Sequence, residues 1–258
     1  MKLLFLGDIV GKPGLSAVLS AIPELRNELE LDAVVVNAEN AADGSGLMPR
    51  QFKQLIGCGI DVVTMGDHIY RRKEITEVLN SSDRIVKPAN FPEAAPGRSW
   101  TTVSTEKGNI AVISVLGRVY MNPVDCPFNA LDRVIEEIGE SAKYILVDIH
   151  AEATGDKQLL GRHLDGRVTA ALGTHTHVPT DDATILPKGT AFQCDVGMCG
   201  PHDSILGRSV APVLAVKTTF QPQHFHVATD DVRLCGAIIE ASEDGTATSI
   251  KRFERKIT

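Results

Sequence analysis

Residues Lys2–Asp8 read KLLFLGD, an apolar run that breaks at a glycine and a carboxylate. A short continuous apolar run bounded by turn residues reads as a strand buried on both faces. From Pro13 to Leu29 apolar residues recur at roughly helical spacing with a proline near the start, so the strand leads to a helix through the loop carrying Asp8. The unit recurs. Ala33–Val36 runs into NAEN and a helix around Pro49–Ile56, and Asp61–Met65 runs into GDH and a helix over Lys73–Leu79. Strand, loop and helix in repeated succession imply a parallel sheet.

Further along, WTTVST and NIAVISVLG flank the turn residues Glu106–Asn109 and read as a hairpin, which makes the sheet mixed. Leu131–Ile138 has helical period, Tyr144–Ile149 is an apolar strand ending at His150, and Val168–Leu172 is a short strand ending in GTHTH. His224–Ala228, Leu234–Glu240 and Thr246–Arg252 read as antiparallel strands. No repeat, low-complexity stretch or linker divides the chain, so residues 1–258 are expected to form one domain.

With 43% hydrophobic and 23% charged residues the composition is that of a globular domain, and a net charge of −7 gives no basic footprint for stable nucleic-acid binding. A small anionic substrate would then need local positive charge, which bound metal ions supply. The apolar start is too short for a signal segment or a membrane span, and five scattered cysteines without C-x-x-C fit reduced thiols, so a cytoplasmic protein is expected. A homo-oligomer is left open.

Asp8, Glu39 and Asn40, Asp67 and His68, His150, and His175 with His177 all follow directly on expected strands. In open α/β sheets the ligand crevice lies outside the carboxyl ends of the strands. Taken singly, Asp8 reads equally as a helix cap, Asn40 as a turn residue and His150 as a packed histidine. His175-Thr176-His177 is harder to dismiss, because two imidazoles two residues apart on extended chain point to one side. Carboxylates with imidazoles and no thiolate suit iron, manganese or zinc. Seven ligands exceed one ion and suit two ions ~3.5–4 Å apart, leaving His68 as general acid. Asn90, Arg118 and His202 are secondary candidates for contacts to substrate, each with an equally good structural reading.

The motifs FLGDIVGKPG (Phe5–Gly14), NAENAADGSG (Asn37–Gly46), TMGDHIY (Thr64–Tyr70), PANFPEAAPG (Pro88–Gly97), DIHAEATGDK (Asp148–Lys157), GTHTHVPT (Gly173–Thr180) and ILPKGTAFQCDVGMCGPHDSILG (Ile185–Gly207) resemble, in order and across most of the chain, the YmdB-like branch of the calcineurin-type metallophosphoesterases. The resemblance implies a four-layer α/β/β/α sandwich with mixed sheets and a di-metal centre at its edge. The metals would be iron (Fe2+/Fe3+), or Mn2+ or a mixed pair. It further implies hydrolysis of small phosphodiesters, 2′,3′-cyclic nucleotides in particular, by a metal-bridging hydroxide. By carry-over, Asp8, Asn40 and His177 would bind one metal and Asp67, His150 and His175 the other, with Glu39 bridging and His68 as proton donor.

Two departures qualify the pattern. The wider superfamily opens with Asp-x-His, whereas Asp8 precedes Ile9 and Val10 and the bridging residue is Glu39. The family motif reads Gly-Asn-His where this chain has Gly66-Asp67-His68, and the added carboxylate would hold its ion tightly while weakening it as a Lewis acid. A phosphomonoesterase or protein phosphatase, and a metal-stabilised regulatory scaffold with incidental hydrolysis, are the competing functions.

Overall fold

The computed structural model describes residues 1–257. The opening run forms β1 (Lys2–Leu6), followed by a two-residue strand β2 (Asp8–Ile9) and the long helix α1 (Gly11–Glu28). The next units are β3 (Ala33–Asn37) with α2 (Pro49–Gly57), β4 (Val62–Thr64) with α3 (Ile75–Ser81), and β5 (Ile85–Val86). The expected hairpin is β6 (Trp100–Thr105) and β7 (Gly108–Leu116). Then come α4 (Pro127–Ile138), β8 (Tyr144–His150), α5 (Thr154–Leu164) and β9 (Ala170–Thr174). The chain continues through β10 (Thr184–Ile185), β11 (Ala191–Gln193), β12 (Met198–Pro201) and α6 (Val210–Thr219) to β13 (Val232–Ala241) and β14 (Ala247–Lys256).

Two mixed sheets result. One runs β2-β12-β13-β1-β3-β4-β5 with β14 on β13, and the other β10-β11-β9-β8-β7-β6. Strand β1 lies between β3, parallel to it, and β13, antiparallel. Alternation along each strand sorts the side chains into three cores. Leu4, Leu6, Val34 and Val36 pack on the helical side with α1, α2 and α3. Leu3, Phe5 and Val35 meet Ile110, Val112, Leu146 and Leu172 of the second sheet. Ala111, Ile113, Val147 and Ile149 turn outward to α4 and α5. Helices, sheet, sheet and helices therefore stack in four layers, as the resemblance implied.

Residues His224–Ala228 do not form the expected strand. Val227 makes an isolated bridge to Arg208 and residues 220–225 are exposed; Phe225, which alternation would give to a sheet face, lines a cavity instead. Among the described residues, no helix is long and apolar enough to cross a membrane.

Candidate metal centre

Asp8 follows β1, Glu39 and Asn40 follow β3, Asp67 and His68 follow β4, His150 ends β8, and His175 and His177 follow β9. The first three strands belong to one sheet and the last two to the other, so the residues meet where the carboxyl edges of the two sheets come together. Beneath that edge the sheets are tied through Asp148, whose Oδ2 accepts from Asn37 Nδ2 at 3.0 Å and from the Thr64 hydroxyl at 2.6 Å.

The side chains divide into two groups that share one carboxylate. On one side His150 Nε2 lies 3.1 Å from Asp67 Oδ1, 3.2 Å from Glu39 Oε1 and 3.0 Å from His175 Nδ1. One ligand atom from each of Glu39, Asp67, His150 and His175 falls within 4.8 Å of the others. On the other side the Asn40 amide nitrogen faces Asp8 Oδ1 at 3.4 Å, His177 Nε2 at 3.3 Å and Glu39 Oε1 at 3.3 Å. Gly66 approaches so closely that a Cβ there would overlap the His150 ring and the Glu39 carboxylate.

The donor set fits cations. Three carboxylates, two of them fully buried, converge without a lysine or arginine partner among the described residues, so imidazoles are their only counter-charge. Burial alone would raise the Asp8 carboxyl, yet the hydrogen bond and charge of His177 hold it well below the usual carboxylate range. Burial is likewise outweighed at Asp67, where the hydrogen bond and charge of His150 lower the carboxyl. Burial would lower His150, but the charge of Glu39 and the hydrogen bond to Asp67 push it well above an ordinary imidazole. Burial and the charge of His150 lower His175. A site that drags protons onto buried imidazoles is short of positive charge, the condition a metal relieves. For Asn40 to join as a ligand it must offer its oxygen, which here accepts from His68 Nδ1 at 2.7 Å.

His150 is held from behind. The Thr174 hydroxyl donates to Asp148 Oδ1 at 2.6 Å and so can only accept from His150 Nδ1, 2.9 Å away, which leaves Nε2 aimed at the centre. Burial pushes Asp148 up to about 6. The His175–His177 segment is not the extended chain anticipated from sequence but a turn, with φ of 92° at His175 and 64° at His177. The two rings therefore diverge, one into each group.

His68 lies beside the centre with its backbone N–H donating to Glu39 Oε2 at 3.0 Å and its ring at the wall of a cavity of about 370 Å³. Glu39, Asn40, His175 and His177 also line this cavity, and Val10, Ile205, Leu206, Val213 and Phe225 form its apolar side. Asn90, Arg118 and His202 do not line it. The Asn90 amide is used up on the Leu116 and Asp125 backbone, Arg118 is exposed over a separate cavity, and His202 faces Met198 O and the Cys235 thiol. Sequence reading missed Glu152, whose Oε2 is 3.2 Å from His175 Nε2, although it stands two residues past a strand-end histidine. It also missed Arg208 at the cavity, whose guanidinium donates to the carbonyls of Asp43, Gly44 and Phe225.

Known proteins resemble this chain over nearly its whole length. A 2′,3′-cyclic-nucleotide 2′-phosphodiesterase of Bacillus subtilis is 42% identical over 251 residues, 97% of this chain and 95% of that one. Among solved structures, a hypothetical protein of Thermus thermophilus superposes with a TM-score of 0.93 at 42% identity, covering 99% of both chains. A structure described as a novel phosphatase of Mycoplasma pneumoniae gives 0.92 at 30% identity, over 99% of this chain and 93% of that one. Residues 4–253 match the family described as YmdB-like protein, and the chain belongs to that family.

Proposed function

We propose that this protein hydrolyses small phosphodiesters, 2′,3′-cyclic nucleotides foremost, at a centre of two cations. The observation that carries the reading is the division of the donors, with Asp67, His150 and His175 on one side, Asp8, Asn40 and His177 on the other, and Glu39 Oε1 within 3.2 Å of His150 Nε2 and 3.3 Å of Asn40 Nδ2. In this reading each group would hold one ion, and Glu39, which stands between the two groups, would serve both. Carboxylates and imidazoles without thiolate suit iron, as Fe2+/Fe3+, or Mn2+ or a mixed pair. When bound, the ions would supply positive charge against the phosphoryl oxygens and acidify a water for in-line attack.

The chain's own groups do the rest. His68 donates from Nδ1 to Asn40 Oδ1, so in its imidazolium form Nε2 would carry the proton that the departing ester oxygen takes up, and the ring would be left neutral. Asp148 and Thr174 orient His150 as described above. The apolar side formed by Val10, Leu206, Val213 and Phe225 suits a nucleoside joined to the phosphate. The name of the Bacillus subtilis relative supports the same substrate class.

The test is hydrolysis of 2′,3′-cyclic AMP, bis-p-nitrophenyl phosphate and p-nitrophenyl phosphate by protein of measured metal content. About two equivalents of metal, chelator-sensitive turnover and preference for the diesters support the reading. A strong preference for the monoester would make the protein a phosphomonoesterase instead.

A further inference from the structure

Lys157 and Asp195 form an ion pair in which the ammonium donates to Asp195 Oδ2 at 2.7 Å, and their side chains are 2% and 1% exposed. Neither belongs to the donor set of the centre. A buried charged pair is often no more stabilising than apolar residues of the same volume. Its placement is therefore the informative feature.

Asp195 Oδ2 also accepts from the Thr176 hydroxyl at 2.6 Å and from the Thr176 amide at 3.1 Å, while Oδ1 accepts from the Gly197 amide at 2.8 Å. Lys157 Nζ itself reaches the Thr176 hydroxyl oxygen at 3.3 Å. Thr176 is the residue between His175 and His177, both of which hold the left-handed backbone that side-chain-bearing residues avoid. Such a turn persists only where its surroundings over-determine it. On the cavity side the His175 amide donates to Asp8 Oδ2 at 3.1 Å. On the far side the side-chain anchors are Asp195 and Lys157. The loop carrying Asp195 is sewn to β9, since the Val196 amide donates to Gly173 O at 2.9 Å and Gly173 lies so close to the Cys194 carbonyl that a Cβ would overlap it.

We propose that the Lys157–Asp195 pair, acting through Thr176, is a positioning device that holds His175 and His177 in their strained turn, so that one imidazole serves each half of the metal centre. The inference rests on the two-cation reading above. Lys157 neutralises a carboxylate that would otherwise be buried unpaired, and Asp195 gathers the amide and hydroxyl of the residue between the two histidines.

The test is Mn2+ affinity by calorimetry on the full chain, beside the thermal midpoint of the metal-free protein. Thr176→Val removes one hydroxyl and keeps the shape, and it should weaken Mn2+ binding about 10-fold or more while the metal-free midpoint barely moves. Thr176→Ser should restore affinity. The double variant Lys157→Met with Asp195→Asn removes both charges together and should bind as weakly as Thr176→Val. Wild-type affinity in both Thr176→Val and the double variant, or a lowered metal-free midpoint with unaltered affinity, overturns the positioning role alone. A wild-type protein that binds no Mn2+, Fe2+ or Zn2+ overturns the metal centre and this device with it.

Discussion

His150 Nε2 and His175 Nδ1 face each other across 3.0 Å, one ring at the end of β8 and the other just past the end of the neighbouring β9. Both cannot carry a proton at that distance. The proton belongs to His150, which Glu39 and Asp67 raise, and not to His175, which burial and His150 lower. A cation taken up between these rings would have to displace it.

The sign of the pH dependence follows. A histidine whose folded pKa is raised stabilises the protein fully below its unfolded value of 6.5, and that contribution is lost as pH climbs through the folded value. His177 is raised as well and acts in the same direction, although burial opposes it. Over the pH interval above about 6.5 the metal-free protein should therefore lose stability while Mn2+ affinity rises. Thermal melts with chelator and with Mn2+ should diverge by at least about 2–4 °C, the shift that ~1 kcal/mol brings in a domain of this size. A metal-free midpoint that rises over that interval contradicts the assignment.

Asp67→Asn removes a carboxylate whose Oδ1 lies 3.1 Å from His150 Nε2. With one negative charge fewer beside its cation, the attacking water should ionise more readily. The acidic limb of the pH–rate profile should move down by about one unit, and Mn2+ should bind less tightly. An unmoved limb would show that Asp67 and Asn are interchangeable here.

Gly66→Ala introduces a Cβ into space held by the His150 ring and the Glu39 carboxylate, neither of which can retreat without leaving the centre. Metal content by mass spectrometry should fall on the order of 10-fold or more, as for lost supporting contacts. Full metal occupancy in this variant would mean that the centre tolerates displacement of Glu39.

Much of this centre is legible in the sequence because its residues sit where apolar runs stop. KLLFL, AVVVN and YILVDIH announce buried strands, and polar groups just past them have no place in the core. The supporting residues are harder to see. Lys157 reads as a surface charge, and α5 hides behind two glycines in TGDKQLLGRHL. Helix α6, VAPVLAVKTT, misleads the other way, since it is strongly apolar yet buries no residue. Two-residue strands such as β2 and β5 carry no periodicity of their own, because pairing with neighbours defines them. The turn at His175–His177 is invisible for a related reason, as its unfavourable backbone is imposed by contacts with Asp8 and Asp195.

His68→Ala should leave metal content unchanged and lower kcat on 2′,3′-cyclic AMP about 10²–10⁴-fold. The loss on bis-p-nitrophenyl phosphate should be smaller, because p-nitrophenolate departs without a proton. Equal losses on both substrates would remove His68 from the role of proton donor.

Phe225→Ala trims the apolar side of the cavity without touching the donors. KM for cyclic nucleotides should rise about 3–10-fold, the range that ~0.5–1.5 kcal/mol of aromatic contact supplies, with kcat little changed. An unaltered KM would place the nucleoside elsewhere.

The position of β1 also constrains how the molecule is made. Its Lys2–Leu6 backbone pairs with Gly236–Glu240 on one edge and with β3 on the other. A ribosome adding ~5–20 residues per second needs on the order of ten seconds or more to reach β13 after β1 has emerged. Throughout that interval one edge of β1 presents unpaired amides and carbonyls, and for part of it Asp8, Glu39 and Asp67 wait without the histidines of the second sheet. In the two-cation reading the full donor set therefore exists only in the later part of synthesis, once His150, His175 and His177 have been added.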